Sequence, residues 1–570
     1  MKPFPCASAA PLPAFLLLSV LMTGCGDARR SARNSGDAAT TEEATAAARP
    51  MHEPGAAPTS FSVLEGTISS PQGVRGDSEH EAFNTEAYDH VEENQFLATR
   101  NAPLSTFSID VDTASYANVR RFLTRGSLPP AGAVRIEELI NYFDYDYAPP
   151  AEGNAPFAVH VAIAGCPWNS EHRLARIGLK GREIDFDDRP PGNLVFLLDV
   201  SGSMRSANKL QYVKESMRML VDQLGENDRV AIVVYSGAAG LVLPSTTADQ
   251  HEIILSAIDR LEAGGSTNGG EGIRLAYDVA TENFVNSGIN RVLLCTDGDF
   301  NVGTTSQSEL VRLIEDRAKS GVFLSVLGFG MGNYKDSTVE KLADKGNGNY
   351  AYIDTLNEAR KVLVEQLTGT LITIAKDVKI QVDFNPAQVA AYRLIGYENR
   401  MLRADDFKDD AKDAGEIGAG HAVTALYELV PPDQSIPAGD VDPSRYQSVG
   451  ELTDAAADDE AFTVRLRYKR PDESVSEPLE VAATDDGESF GEADADFQFA
   501  AVVAQFGMLL RGSQYTTEAS WDATREIAAA SVGDDELGYR AEFLELIDTA
   551  AGLSTGREVN TAARPAATAR

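Results

Sequence analysis

Apolar runs alternate with amphipathic segments through the middle of the chain. Residues 194–198 are continuously apolar, which predicts a strand buried on both faces of a sheet. Residues 210–224 carry apolar side chains at helical spacing, with lysine and glutamate between them. The same patterns predict strands at 230–234, 292–295 and 322–327, and helices at 252–261, 272–284 and 309–318. Strands that alternate with helices of this length predict an α/β domain with a doubly wound, mostly parallel sheet, which we place at residues 191–370.

Alternation of apolar and polar residues with a period of two flanks this domain on both sides. It predicts strands at 157–163, 174–179, 378–382, 423–429 and 462–468. The last three predict a β-sandwich, which the first two are placed to join. Helical spacing predicts helices around 119–122, 137–142, 497–510 and 540–550. We therefore expect an N-terminal region at 95–190, a β-sandwich or α+β accessory domain at 371–555 and a disordered tail at 556–570.

Residues 1–24 have the pattern of an export signal. The apolar run 15–22 is too short to span a bilayer as a permanent helix, and small residues follow it. The sequence from Leu21 to Cys25 resembles a bacterial lipobox, although Met22 stands where leucine is usual. The resemblance implies that Cys25 is lipidated and becomes the first residue of the mature chain. The alternative is an ordinary cleaved signal with a chance cysteine.

Residues 25–94 predict a disordered tether. They are rich in alanine, glycine, serine, proline and glutamate, and they contain few large apolar side chains that could offset the entropy lost on folding. A flexible chain of about 70 residues has a root-mean-square reach of roughly 45 Å. A lipid at Cys25 would therefore hold the folded part near a membrane without pressing it against the surface.

The charge of the chain narrows the range of partners. Its 570 residues include 50 lysine and arginine and 86 aspartate and glutamate, which gives a net charge of −36. This excess argues against nucleic acid and against anionic lipid as partners, because both are bound through clustered basic residues. Four cysteines are too few for a disulfide scaffold, and Cys166 and Cys295 would remain in the mature chain as buried thiols or as one disulfide.

Polar residues collect where the predicted strands of the α/β domain end. Asp199, Ser201 and Ser203 follow the first strand, Thr267 lies in a glycine-rich segment before a helix, and Asp297 follows the strand at 292–295. Open α/β sheets bind ligands at the carboxyl ends of their strands. Together these residues resemble the metal-ion-dependent adhesion site of von Willebrand factor type A (VWA) domains, an Asp-x-Ser-x-Ser run with a distant threonine and aspartate.

This resemblance implies a divalent cation bound mainly by neutral oxygens. The hydroxyls of Ser201, Ser203 and Thr267 would ligate the ion directly, and Asp199 and Asp297 would supply charge, often through water. Mg²⁺ is the expected ion, with Mn²⁺ or Ca²⁺ as alternatives, because all three prefer oxygen ligands. An acidic side chain from a protein partner would complete the coordination. Taken singly, a residue such as Ser203 has a helix cap as its alternative role.

The flanking regions resemble those of one group of bacterial VWA lipoproteins. The resemblance runs from about residue 103 to 553 and is carried by the segments 105–116, 134–143 and 414–429. It implies a non-enzymatic protein-binding lipoprotein of the cell envelope that serves adhesion or complex assembly. Its expected place is the outer membrane, facing the periplasm or the exterior. A structural envelope protein whose metal only stiffens the rim of the domain is one alternative.

Asp110 and Asp112 suggest a second alternative, a metal-dependent phosphohydrolase. Phosphatases of the haloacid dehalogenase type place two aspartates two residues apart at a strand end, but Ala114 stands where they have threonine or valine. A structural loop is favoured, an accessory metal site stays open, and no catalytic residue is assigned. The acidic runs at 405–413, 458–460 and 485–488 predict solvated loops, with calcium sites as the alternative, and His421 predicts a packed or hydrogen-bonded side chain.

Overall fold

A computed structural model gives the fold of residues 86, 88 and 90–562, except 152, 154, 186–187, 299–306, 331–334, 438–450 and 517. For 307 and 556–562 it describes the backbone alone. The predicted export signal, Cys25 and nearly all of the predicted tether lie outside the described residues. No helix in the described ranges is long and apolar enough to cross a membrane.

The described residues form three sheets with helices around them. The strands are β1 Leu97–Ala98, β2 Leu104–Ser108, β3 Phe157–Gly165, β4 Arg173–Gly181, β5 Gly192–Asp199, β6 Arg229–Tyr235, β7 Ala239–Thr247, β8 Ile289–Thr296, β9 Phe323–Phe329, β10 Tyr350–Ile353, β11 Thr373–Phe384, β12 Ala391–Ile395, β13 Gly415–Gly418, β14 Ala422–Val430, β15 Glu460–Lys469 and β16 Glu477–Thr484. The α-helices are α1 Ala114–Thr124, α2 Ile136–Ile140, α3 Leu210–Val221, α4 His251–Asp259, α5 Gly269–Glu282, α6 Gln307–Ala318, α7 Asp336–Lys345, α8 Leu356–Arg360, α9 Leu367–Leu371, α10 Ala495–Arg511, α11 Trp521–Ala530 and α12 Tyr539–Ala562.

The central sheet has the order β10-β9-β8-β5-β6-β7 and is parallel except for β7, which pairs antiparallel with β6. Alternate residues of β5 enter two different cores: Leu194 and Phe196 pack on one face, and Val195 and Leu197 pack on the other. Burial on both faces explains why this strand is an unbroken apolar run. The predicted doubly wound α/β domain is confirmed. The edge strands β7 and β10 were not predicted.

The predicted β-sandwich is also present, and both flanks of the α/β domain build it. One sheet has the order β1-β12-β14-β4-β3, and the other has the order β13-β11-β15-β16 with β2 paired to β11. Ile177 and Val423 from the first sheet and Ile380 and Leu466 from the second share one core. The expected N-terminal region and C-terminal accessory domain are therefore parts of one sandwich.

The α/β domain is an insertion in this sandwich. It lies between β4 and β11, whose residues Gly181 and Ile374 are so close that a Cβ on Gly181 would lie 2.9 Å from the Ile374 side chain. The chain thus leaves the sandwich and returns to it at neighbouring points.

A helical layer covers the outer face of the first sheet. Tyr142 and Phe143, which follow α2, pack with Phe499 of α10 and Phe543 of α12 in one aromatic core. The helices α10 and α12 confirm the two predicted near the end of the chain. The backbone of α12 runs to Ala562, past the boundary at residue 556 that the sequence predicted for a disordered tail.

The last residues of the predicted tether are held against the folded part. Glu86 accepts a hydrogen bond of 2.8 Å from Arg121, and the Asn94 side chain donates one of 2.8 Å to the carbonyl of Gly396. The predicted boundary at residue 94 was therefore too late. Cys166 and Cys295 are buried free thiols in different cores, so the alternative of a disulfide between them is wrong.

A buried carboxyl on α2 gives a test of the electrostatics of this fold. Glu137 is fully buried, neither of its oxygens has a hydrogen-bond partner of good geometry among the described residues, and burial raises its pKa to about 7. Because the pKa is higher in the folded than in the unfolded chain, the folded chain binds the extra proton between about pH 4.5 and 7. This contribution to stability is present below that range and is lost as the pH rises through it.

We expect Glu137→Gln to stabilise the protein by roughly 1–3 kcal/mol at pH 8 and to change little at pH 5. The substitution keeps the shape of the side chain and removes the charge that burial disfavours. Denaturant unfolding at both pH values measures the difference. Glu526→Gln, at an exposed position on α11, is the matched control and should change neither value. A Glu137→Gln protein that is less stable at pH 8 would contradict the assignment.

Candidate functional site

The predicted site residues gather at the carboxyl edge of the central sheet. The strand β5 ends at Asp199, its neighbour β8 ends at Thr296, and the two strands are parallel with Leu198 opposite Cys295. Asp199 and Asp297 therefore leave adjacent strand ends. Thr267 comes two residues before α5, which packs on β5.

Two backbone hydrogen bonds hold the loop after β5 against the loop before α5. The amide of Gly202 donates to the carbonyl of Gly265 at 3.0 Å, and the amide of Gly264 donates to the carbonyl of Val200 at 2.7 Å. Gly265 has a φ of +86°, and a Cβ there would lie 3.1 Å from the hydroxyl of Ser236. Glycine is required at this point because the loop that carries Thr267 passes so close to the end of β6.

The Asp-x-Ser-x-Ser run folds so that its polar atoms converge. The hydroxyls of Ser201 and Ser203 are 2.9 Å apart, and the amide of Ser201 donates to Oδ1 of Asp199 at 2.8 Å. Oδ2 of Asp199 is buried and has no hydrogen-bond partner of good geometry among the described residues. Asp199, Ser201 and Asp297 are buried, Thr267 is half-buried and Ser203 is exposed. The group therefore runs from the sheet edge outward to the surface.

Burial governs the charge of Asp199. It raises the pKa of this carboxyl to about 6, against the opposing effect of hydrogen bonds from Ser201, and the nearby Asp297 raises the pKa further. An environment that disfavours the ionised form favours any cation that would compensate its charge.

Lys209 is a functional candidate that the sequence analysis missed. Its ammonium donates to Oδ2 of Asp297 at 2.8 Å, and both side chains are buried. The residue lies just before α3, six positions after Ser203, and the resemblance to an adhesion site assigns it no role. Nothing in the sequence around Lys209 distinguishes it from the other charged residues near the start of α3, so the sequence did not indicate a functional role. The pairing arises from the fold.

The donor set fits a hard divalent cation. It offers neighbouring hydroxyl oxygens and a buried carboxylate oxygen that has no hydrogen-bond partner of good geometry among the described residues, all from one strand end, and such oxygens are the ligands that Mg²⁺ prefers. In the described ranges, no group of three or more His, Cys, Asp or Glu side chains is placed to hold a metal ion.

Asp110 and Asp112 lie in a buried ionic network. Arg400 donates to Oδ2 of Asp110 at 3.0 Å, and the amide of Tyr350 donates to Oδ1 of Asp112 at 2.8 Å. The preceding strand β2 pairs antiparallel with β11, whereas the phosphatase interpretation needs a parallel strand followed by a βαβ series. This geometry favours a structural role for both carboxylates.

The acidic runs lie at the surface in hydrogen bonds with other protein groups. Asp410 accepts from Arg467 at 3.1 Å, Asp413 accepts from Lys345 at 2.7 Å, and Asp485 accepts from Arg173 at 2.8 Å. The pair of Lys345 and Asp413 is exposed, and the other two pairs are half-buried. These contacts favour solvated loops over calcium sites.

His421 packs at the end of the first sandwich sheet. Its ring lines a cavity of about 450 Å³, and burial lowers its pKa to about 4, so the ring is neutral near pH 7. Its Nδ1 atom has no hydrogen-bond partner among the described residues. This burial favours the packed or hydrogen-bonded role that the sequence predicted for His421.

Three family models match successive parts of the chain. The von Willebrand factor type A domain matches residues 193–366, a von Willebrand factor model matches residues 82–176, and the C-terminal model of the uncharacterised protein YfbK matches residues 369–553. YfbK of Escherichia coli K12 is 43% identical over 476 residues, which cover 82% of this chain and 82% of YfbK.

More distant similarities extend to proteins of other organisms. Human inter-alpha-trypsin inhibitor heavy chain H4 is 28% identical over 166 residues, 28% of this chain and 18% of that protein. The Arabidopsis thaliana E3 ubiquitin-protein ligase WAV3 is 24% identical over 264 residues, 45% of this chain and 33% of that protein. A solved von Willebrand factor type A structure from Catenulispora acidiphila covers 68% of this chain and 89% of its own at 16% identity, with a TM-score of 0.39. Domains of this type serve protein interactions in general, and they commonly bind a divalent metal ion.

Proposed function

This chain belongs to the family of the Escherichia coli protein YfbK, and we propose that it binds a protein partner through a divalent cation held at the rim of its VWA domain. The observation that carries the proposal is the buried Oδ2 of Asp199, which has no good hydrogen-bond partner among the described residues, beside the paired hydroxyls of Ser201 and Ser203. A cation is the group that would satisfy all three.

The residues of the site divide into ligands and charge carriers. Ser201, Ser203 and Thr267 would hold the ion through neutral oxygens, and Asp199 and Asp297 would supply the negative charge that balances it. When bound, the ion supplies a Lewis-acidic position for a carboxylate of the partner. Mg²⁺ is our first choice of ion, with Mn²⁺ or Ca²⁺ as alternatives. The exposed Ser203 marks the side from which a partner would approach.

We further propose that Cys25 is lipidated and holds the protein at the bacterial cell envelope, in the outer membrane facing the periplasm or the exterior. The support is the lipobox-like sequence that ends at Cys25 and the apolar run before it. Metabolic labelling with a fatty acid should mark the wild type and spare Cys25→Ser. Equal labelling of both would contradict the anchor.

Capture of a partner from envelope extract tests the function. We expect at least one protein to bind the full mature chain in Mg²⁺, to be lost in chelator, and to be lost when Asp199→Asn replaces the wild type. Asp249→Asn, at an exposed position of the same domain, is the control and should capture it as well as the wild type.

Two outcomes would favour other functions. Capture that survives the chelator, together with a lowered melting temperature, would support a structural protein that its metal only stiffens. Turnover of phosphate esters that survives Asp199→Ala and is lost with Asp110→Ala would support the phosphohydrolase.

A further inference from the structure

Lys209 places a positive charge inside the candidate metal site. Its ammonium lies 2.8 Å from Oδ2 of Asp297, one of the two carboxylates that would balance the ion. Side-chain exposure is 8% for Lys209 and 0% for Asp297. At such burial the pair is shielded from solvent, so its charge acts strongly on groups nearby.

The backbone fixes the position of the Lys209 side chain. Its Cγ, Cδ and Cε atoms lie against Gly330, which follows β9, and a Cβ at that position would approach all three within 2.8 Å. Gly330 also has a φ of +75°. Glycine therefore leaves a channel along which the aliphatic part of Lys209 reaches the sheet edge.

We propose that Lys209 sets the charge balance of the metal site, weakening its hold on the divalent ion and strengthening the hold of the loaded site on a carboxylate. The inference rests on the proposed function. Asp199 and Asp297 together match the two positive charges of the ion, and Lys209 adds one that they do not match. The loaded site then carries a net positive charge, although the protein as a whole is strongly acidic.

A second basic residue, Arg205, lies near the candidate metal site. Arg205, in the loop between β5 and α3, donates to the carbonyl of Ala263 at 3.4 Å, and its guanidinium lies close to Gly264 of the loop that carries Thr267. Arg205 is exposed and adds to the positive potential on the partner's side. The ligand carboxylate would therefore meet the positive charge of Arg205 beside the site on an otherwise acidic protein.

Removing the charge of Lys209 should change two affinities in opposite directions. We expect Lys209→Met to bind Mg²⁺ or Mn²⁺ about ten-fold more tightly than the wild type, because the positive charge beside Asp297 that opposes the ion is lost. The Mn²⁺-loaded variant should bind acetate several-fold more weakly. Calorimetry measures the first affinity, and the relaxation of solvent protons by Mn²⁺ measures the second.

Metal-free stability gives an independent readout. Lys209→Met leaves Asp297 buried without its cation, so we expect a lower melting temperature in chelator and a larger rise on adding Mg²⁺ than in the wild type. Lys209→Gln removes the charge but keeps a hydrogen-bond donor, and it serves if the methionine variant fails to fold. Lys214→Met, on α3 one turn further along, is the control and should leave all three measurements unchanged.

The outcomes separate this inference from the proposed function. If the wild type binds no divalent ion, the proposed function fails. If the wild type binds the ion and neither Lys209 variant binds it more tightly, Lys209 does not set the charge balance. Tighter ion binding with unchanged acetate affinity would also overturn the inference.

Discussion

Asp199→Ala is expected to lower the affinity for Mg²⁺ or Mn²⁺ by at least about 100-fold. The substitution removes a charge and the buried oxygen that has no good hydrogen-bond partner at the point where the serine hydroxyls converge. Losing a carboxylate ligand or its charge costs several kcal/mol at such a site, since each 1.4 kcal/mol is ten-fold in affinity. Calorimetric titration of the purified chain measures the effect.

Two companion variants make this result specific. Asp199→Asn keeps an oxygen that can accept the hydrogen bond from the Ser201 amide, so it should fold normally and still lose most of the affinity. Asp249→Ala, at an exposed position, should bind as the wild type does. If Asp199→Ala binds the ion as tightly as the wild type, the site has been assigned to the wrong residues.

Arg120→Met is expected to cost about 3–5 kcal/mol of unfolding free energy. Arg120, on α1, donates to Asp354 at 2.9 Å and to Glu358 at 2.7 Å, both of which follow the central sheet, and to Glu542 of α12 at 3.0 Å. Removing one side of a buried ionic network leaves the remaining charges unpaired in a dry environment. Denaturant unfolding gives the change in free energy.

An exposed ion pair supplies the control for that measurement. Arg218 on α3 pairs with Asp259 and Glu215, and Arg218→Met should cost less than about 1 kcal/mol because solvent screens the pair. A loss below about 1 kcal/mol for Arg120→Met as well would show that the buried network carries little stability. We expect one cooperative transition for the wild type, since Arg120 links α1, the α/β domain and the closing helices.

The parts of the fold that were predicted are those with a strong local pattern. The strand β5 is buried on both faces, so its continuous apolar run was sufficient to predict it. The edge strand β7 alternates irregularly between exposed and buried residues, and β10 has four residues, so neither has a pattern long enough to recognise. The period of two at β4 and β14 predicted strands but could not tell that these two would pair.

The residues of the candidate site also fall into those that a local pattern predicted and one that it did not. Asp199, Ser201, Ser203, Thr267 and Asp297 were chosen because they resemble a known motif at predicted strand ends. The fold now brings the two loops that carry the first four into hydrogen-bonding contact. Lys209 was not predicted as a site residue because it reaches the site only through a contact with Asp297, 88 residues away along the chain. Pairings over such distances depend on the assembled sheet.

The insertion of the α/β domain into the sandwich affects the order in which the parts of the chain can fold during synthesis. The strand β4 is made early, but its neighbour β14 comes roughly 240 residues later, as the hydrogen bond between Lys180 and Gly420 illustrates. The strands of the α/β domain all lie between those two points and need no later segment to complete their sheet. During synthesis on the ribosome, the α/β domain can therefore fold before β14, the partner of β4, has been made.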